Sequence, residues 1–230
     1  MAVVPWRLKN FVSEQFPLLY HVVANAGFRG NSEAHWDARL AATWDDATRH
    51  WPTKSRLIES LTKRDDAILD LGCGNGSILR YLHGRGYSNL HGLEVSQYAI
   101  RRLRDAGINM HYGVLPSIPL DVAAFDVVIA SQLLEHIIRR RTLLKEIRRT
   151  LKTGGSVFVF VPDNCLGPID EREHVVKFNG ESLRKLLERY FFVVSLRRMK
   201  DENYNMPILF AHLKKRSNAA SPADQSSARA

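Results

Sequence analysis

The sequence predicts an α/β fold built on a doubly wound, mostly parallel sheet. Between residues 67 and 161, short apolar runs alternate with segments of helical periodicity, which is the pattern of successive β-α-β units. The apolar runs are nearly continuous rather than alternating, as expected for strands that helices cover on both faces. A chain of 230 residues is long enough for one such domain with a complete core.

Helices are expected between the strands, because apolar residues spaced three and four apart follow the apolar runs. In the clearest case, Leu143, Leu144 and Ile147 form the buried stripe of one helix and arginines flank them. A last helix is expected over 180–189. The strands themselves are expected near 67–71, 89–94, 109–113, 125–131, 155–161, 191–196 and 208–213.

The end of the first strand is the most informative stretch, because glycine stands there at three alternate positions, Gly72, Gly74 and Gly76. Glycine tolerates positive φ and lets the backbone approach a ligand closely, and the free N–H groups of the following helix suit an anionic ligand. A dinucleotide fingerprint places its third glycine one position later, at Ser77. No Lys-Ser/Thr pair follows, so a P-loop is excluded. The loop predicts a nucleotide-like ligand other than a dinucleotide.

A carboxylate ends the second strand at Glu94, roughly 20 residues beyond the glycine loop, where it suits hydrogen bonding to ribose hydroxyls. The alternative interpretation is purely structural. In that case the glycines make a tight turn and Glu94 caps the helix that begins near Ser96.

Four segments occur in one order along the chain: 69–76, 92–96, 125–137 and 151–157. Together they resemble the first motif, the ribose-binding motif, the fourth-strand motif and the fifth-strand turn of class I S-adenosylmethionine-dependent methyltransferases. The resemblance implies a Rossmann-like seven-stranded sheet, mostly parallel, with one antiparallel strand near the C-terminus. It also implies S-adenosyl-L-methionine as the cofactor.

The resemblance further implies which residues hold the methyl donor. One position departs from the family, which often places an acidic residue after the third strand to contact the adenine amino group. Here the segment reads Gly113-Val114-Leu115, which leaves backbone groups to make that contact. The implied donor-binding residues are Asp70, Gly72, Cys73, Gly74, Gly76, Glu94, Val95, Val114, Leu115, Ser131, Gln132 and Leu133.

Two histidines are the candidate catalytic residues. His136 follows the fourth strand in a Glu-His pair, and histidine can accept a hydroxyl or ammonium proton near neutral pH. The alternative is that His136 only caps or packs against the next helix. His174 resembles a histidine that recurs in the family and is expected to line the acceptor side. Glu135 is expected to orient a neighbouring group. No metal site is expected, since neither Cys73 nor Cys165 has other metal-ligating residues nearby in the sequence.

The implied function is methyl transfer to oxygen or nitrogen of a small-molecule, sugar or lipid-precursor acceptor, as in quinone and related metabolite pathways. The segment Ser131-Gln132-Leu133-Leu134 differs from the Asn/Asp-Pro-Pro-Tyr motif of enzymes that methylate DNA adenine or protein glutamine. Two alternatives stay open: a non-catalytic donor-binding partner or regulatory protein, and a nicotinamide-dependent oxidoreductase, against which the short glycine spacing counts.

Composition bounds the partners and the compartment. The net charge of +9 is interpreted as solvated helix faces, with attraction for an anionic substrate or surface as the alternative, and no nucleic-acid motif is present. Two cysteines and the absence of a signal pattern or a membrane span favour the cytoplasm. The apolar residues within 6–26 predict an amphipathic helix that caps the domain, covers the acceptor pocket or touches a membrane surface. The expected organisation is an N-terminal helical extension (1–50), the methyltransferase domain (51–216) and a disordered tail (217–230).

Overall fold

The computed structural model describes residues 32–163, 174–203 and 205–216. The predicted helix over 6–26 and the predicted tail over 217–230 lie outside these ranges. Within them, no helix has the length and apolar character that crossing a membrane requires.

The described residues form a seven-stranded sheet, ordered β3-β2-β1-β4-β5-β7-β6. Strands β1 to β5 pair in parallel, and β7 lies antiparallel between β5 and β6. This arrangement confirms the predicted doubly wound sheet with one antiparallel strand near its C-terminal end. The strands are β1 (Ile68–Leu71), β2 (Leu90–Glu94), β3 (Asn109–Tyr112), β4 (Phe125–Ser131), β5 (Leu151–Pro162), β6 (Phe191–Lys200) and β7 (Pro207–Lys215).

Helices cover both faces of the sheet and bury two apolar clusters. Strand β1 contributes to both, since Ile68 packs into one cluster and Leu69 into the other, as expected from the alternation of side chains along a strand. The two-sided burial explains why the apolar runs are continuous. The helices are α1 (Glu33–Thr43), α2 (Pro52–Ser60), α3 (Ser77–Gly84), α4 (Gln97–Asp105), α5 (Arg140–Thr150) and α6 (Gly180–Leu187), with 3-10 turns at Ala47–Arg49 and Leu134–His136.

The fifth strand begins at Leu151, earlier than the predicted start at residue 155. Leu151 pairs with Phe125, and after a register shift Ser156 pairs with Val127. The strand residues before position 155 therefore belong to a part of the β4–β5 pairing that contains a register shift. A glycine pair there suggested a turn, and Gly154 does have positive φ, but the pairing continues past it.

Candidate active site

A large pocket opens at the carboxyl ends of β1, β2 and β4, where the strand order reverses at β1. This switch point is where open α/β sheets bind their ligands. The cavity measures about 1360 Å³, which exceeds the roughly 300–1,000 Å³ of a typical small-ligand site. There is therefore room for two small molecules side by side.

The pocket brings together the residues that the sequence singled out, except for Gly76 and Glu135. Gly76 does not line the pocket and instead precedes α3 as its N-cap. The predicted site residues that do line it are Asp70, Gly72, Cys73, Gly74, Glu94, Val95, Val114, Leu115, Ser131, Gln132, Leu133, His136 and His174.

The glycine loop is tied to the second strand through Glu94. Its Oε2 accepts a hydrogen bond from the Gly74 N–H at 2.9 Å, and its Oε1 accepts from Val95 and Ser96 N–H groups at 2.8 and 3.1 Å. Burial raises the pKa of Glu94, and these three hydrogen bonds oppose that rise. Glu94 therefore bonds the two residues that precede α4, whose N-cap is Ser96, and it also lines the pocket.

Packing by itself requires glycine at position 76. Its φ is +68°, and a Cβ at this position would lie 2.5 Å from Cδ2 of the fully buried Leu103 in α4. Gly74 has a similar φ of +57°, but its nearest neighbour would be Leu40 at 3.8 Å. The same residue type thus serves two different purposes in one loop.

This contrast predicts different stabilities for two matched variants. Gly76→Ala combines left-handed strain with overpacking and is expected to lower the free energy of unfolding by about 3 kcal/mol. Gly74→Ala carries the backbone strain alone, about 1–2 kcal/mol. Urea unfolding of both variants checks the prediction, and equal losses would contradict the assigned packing role of Gly76.

Helix α1 closes one side of the pocket. Asp37 fixes it to the start of α4, because its carboxylate accepts hydrogen bonds from Ser96 Oγ at 2.5 Å and from the Tyr98 N–H at 3.0 Å. His35 and Trp36, on the same helix, line the pocket. The Trp36 ring meets His136 edge to face, with ring centroids 5.6 Å apart. The helix thus connects the start of α4, which follows β2, with the pocket wall at His136.

The loop after β3 offers no carboxylate to the pocket. Val114 is 58% exposed on the pocket wall, and Leu115 packs partly against the core. The Gly113 N–H donates to the Glu94 carbonyl oxygen at 3.1 Å, which continues the β2–β3 pairing. Apolar surface and backbone are therefore what this loop presents to a ligand.

Gln132, just beyond β4, has two unusual features. Its φ is +52°, in the region that residues other than glycine rarely occupy. Its side-chain Nε2 is buried and has no hydrogen-bond partner among the described residues. A strained residue with an unsatisfied donor at a pocket wall is typical of a ligand-binding position.

A buried lysine, which the sequence reasoning missed, lies at the base of the pocket. Lys54 of α2 donates through Nζ to Ser131 Oγ at 2.9 Å, and Nζ lies 4.1 Å from the centroid of the Trp51 ring. Burial lowers the pKa of Lys54 to about 8, against the opposing effect of Asp70, Asp201 and Glu135. The available signal was a cation in the first turn of a helix, where the helix dipole disfavours positive charge.

Asp70 is the acidic counterpart of Lys54. It lies in β1, whose four residues are all buried, and is only 2% exposed. Burial raises the pKa of Asp70 to about 7; Lys54 opposes this rise, and the charge of Glu94 adds to it. A carboxyl group and an ammonium group with pKa values this close to neutrality are typical of a functional site.

The two candidate histidines meet at the other end of the pocket. The rings of His136 and His174 are 4.8 Å apart at an angle of 72°. The Val175 N–H donates to the Glu135 carbonyl oxygen at 2.8 Å, which holds the two segments together. Glu135 itself is 1% exposed, and burial raises its pKa to about 7, while His174 and Lys54 lower it.

Cys73 also lines the pocket, between the glycines of the loop. Burial raises the pKa of its thiol well above the ordinary value, and the charges of Glu94 and Asp70 raise it further. The thiol therefore stays protonated near neutral pH, and Cys73 is part of the wall rather than a nucleophile.

Comparison with known proteins identifies the family of this domain. Residues 69–159 match the family described as "Methyltransferase domain". The chain is 28% identical over 141 residues to 27-O-demethylrifamycin SV methyltransferase of Amycolatopsis mediterranei, covering 56% of this chain and 51% of that protein. It is 26% identical over 148 residues to sarcosine/dimethylglycine N-methyltransferase of Halorhodospira halochloris, covering 56% and 52%.

The fold is also that of solved methyltransferases. The 1,6-didemethyltoxoflavin-N1-methyltransferase of Burkholderia thailandensis superposes with a TM-score of 0.63 at 18% identity, covering 94% of this chain and 92% of that one. The chain spans about half the length of the curated relatives it matches. Residues 69–159 therefore carry a methyltransferase domain of the class I type, which uses S-adenosylmethionine as its cofactor.

Proposed function

We propose that this protein transfers a methyl group from S-adenosylmethionine to oxygen or nitrogen of a small-molecule acceptor. The observation that carries the proposal is one cavity that is lined by Glu94 of β2 and the glycine loop after β1 and, beyond β4, by the His136–His174 pair. Its volume suits a donor and an acceptor together. A site for one nucleotide alone would not need the part of the cavity beyond β4.

The donor is assigned to the end of the pocket formed by β1 and β2. Gly72 and Gly74 expose backbone beneath its methionine and ribose parts. Glu94 receives a ribose hydroxyl, because a carboxylate has about four acceptor positions and only three are occupied by backbone N–H groups. The remaining walls are Cys73, Val95, Val114, Leu115, Gln132 and Leu133.

The methionine end of the donor is a zwitterion, and the base of the pocket has matching charges. Asp70 faces its ammonium group, and Lys54, held by Ser131, faces its carboxylate. Two opposite charges that are buried beside each other compensate one another before the donor enters. Both gain a second partner when it binds.

Methyl transfer is an in-line displacement at the donor's methyl carbon. A lone pair of the acceptor forms the new bond, the carbon–sulfur bond breaks, and its electron pair stays on sulfur as a neutral thioether. The acceptor loses a proton. Because the sulfonium is already activated, the protein mainly aligns the two molecules and excludes water. His136, which faces the acceptor end, is placed to act on that proton.

His136→Ala is expected to lower the rate of methyl transfer by roughly 100-fold, a typical contribution of proton transfer. Donor affinity is expected to stay within a factor of about two, because His136 lies at the opposite end of the pocket from Glu94. His83→Ala is the matched control, since His83 is exposed on α3 and outside the pocket. An unchanged rate in His136→Ala would remove His136 from this role.

The functional test is a screen of small hydroxylated and amino acceptors for release of S-adenosylhomocysteine. We expect turnover with at least one acceptor class and a methylated product detectable by mass spectrometry. Donor binding without turnover of any acceptor would favour the non-catalytic partner. Reaction with NADH and no binding of S-adenosylmethionine would favour the oxidoreductase alternative.

A further inference from the structure

Three potential metal ligands converge at the acceptor end of the pocket. Glu135, His136 and His174 each offer one ligand atom, and these three atoms all lie within 4.8 Å of one another. We propose that this cluster binds a divalent transition-metal cation of the Zn²⁺ type and leaves an open coordination position toward the pocket.

The surroundings of Glu135 are the first argument. The residue is 1% exposed, and neither of its carboxylate oxygens has a hydrogen-bond partner among the described residues. Buried polar groups are nearly always hydrogen-bonded, and an unpaired buried carboxylate is strongly unfavourable. Lys54 contributes charge at a distance, but its Nζ is directed to Ser131 Oγ. A cation between Glu135 and the histidines would satisfy the carboxylate directly.

The ligand set is the second argument, and it selects the class of cation. Two imidazoles and one carboxylate suit Zn²⁺, Co²⁺, Ni²⁺ or Fe²⁺, whereas Mg²⁺ and Ca²⁺ prefer oxygen ligands throughout. Three protein ligands with a free fourth position is the pattern of catalytic rather than structural zinc. In a tetrahedral site with bonds of about 2.1 Å the ligand atoms lie roughly 3.4 Å apart, so small side-chain rotations complete the geometry.

The backbone around the cluster is the third argument, because it holds ligands from two distant segments in place. Glu135 and His136 belong to the 3-10 turn after β4, and His174 precedes α6. The hydrogen bond from the Val175 N–H to the Glu135 carbonyl oxygen joins these segments. Trp36 packs against the His136 ring from the α1 side. A site that forms from rigid neighbours loses little order when the cation binds.

The cation would also narrow the acceptor class, and this step rests on the proposed function. His136 and His174 line the pocket, whereas Glu135 lies behind them. The open position therefore faces the acceptor and favours one with a hydroxyl group, whose pKa a bound cation lowers. The hydroxyl proton then leaves to solvent, and the cation takes over the role assigned above to the imidazole of His136.

The test is titration of metal-free, full-length protein with Co²⁺, followed by visible absorption and then by competition with Zn²⁺. We expect one Co²⁺ per chain, with the intense visible bands of a four- or five-coordinate site, and displacement by Zn²⁺. Glu135→Gln and His174→Ala are expected to weaken Co²⁺ binding at least tenfold. Circular dichroism verifies that both variants fold.

His111→Ala is the matched control, because His91 and His111 form a partly exposed pair with ring nitrogens 3.0 Å apart. This variant is expected to keep the cobalt site. Absence of a stoichiometric site in the wild type, or its loss in His111→Ala but not in Glu135→Gln, would overturn the proposal. Parallel calorimetry with S-adenosylhomocysteine separates the two claims: donor binding without cobalt binding refutes the cation alone, and cobalt binding without donor binding refutes the proposed function alone.

Discussion

Glu94→Ala is expected to weaken binding of S-adenosylhomocysteine by about 100-fold. Hydrogen bonds to a charged group contribute about 1.5–3 kcal/mol each, and losing the ribose contact at the upper end of this range corresponds to about two orders of magnitude in affinity. The variant also releases Gly74 from β2, since that N–H bonds the same carboxylate. Isothermal titration calorimetry measures the change directly.

The ribose contact can be separated from the loop contact with a second ligand. The 2′-deoxy analogue of S-adenosylhomocysteine should bind the wild type more weakly than the parent ligand, whereas Glu94→Ala should hardly distinguish the two. Glu59→Ala is the matched control, because Glu59 bonds Tyr81 outside the pocket. Equal discrimination by wild type and Glu94→Ala would show that Glu94 only supports the loop.

Lys54→Met is expected to weaken donor binding at pH 7 by at least tenfold and to change its pH dependence. The charge of Lys54 lowers the pKa of Asp70, so its removal raises that pKa above about 7. Asp70 is then mostly protonated at neutral pH and loses its attraction for the donor's ammonium group. In the wild type, affinity should rise as pH increases through about 7, and in the variant the rise should occur at higher pH.

Calorimetry with S-adenosylhomocysteine at several pH values on either side of 7 checks this prediction. Lys54→Arg keeps the positive charge, so its donor affinity should rise over nearly the same pH range as that of the wild type. If donor affinity rises over the same pH range in Lys54→Met as in the wild type, then Lys54 does not control the ionisation of Asp70. Lys152→Met, which removes a partly exposed partner of Asp126, is the control for an unrelated salt bridge.

The fold was accessible from the sequence because local patterns dictate it. Continuous apolar runs predict strands, apolar residues at helical spacing predict helices, and the glycines after β1 predict a loop. The order of the motifs then predicts the topology. The boundaries of β5 were wrong at the N-terminal side, because pairing of Leu151 with Phe125 is a tertiary event that glycine-rich local sequence conceals.

The sequence predicted those site residues that belong to recognisable motifs, and it did not predict those that only tertiary packing brings to the site. Lys54 belongs to no motif, and its burial depends on how α2 packs against the ends of β1 and β4. The proximity of His136 and His174 is a tertiary feature, and the backbone hydrogen bond from Val175 to Glu135 contributes to it. Gly76 belongs to a motif, but the motif does not give the reason for glycine. Ligand contact and close packing can both require glycine, so the spacing alone did not distinguish these two reasons.

The central claim is that this pocket binds the methyl donor through the glycine loop and Glu94. Calorimetric titration of wild-type protein and Glu94→Ala with S-adenosylhomocysteine tests it most directly. We predict one ligand bound per wild-type chain and about 100-fold weaker binding in the variant. No binding to the wild type, or equal affinity in the two proteins, would contradict the claim.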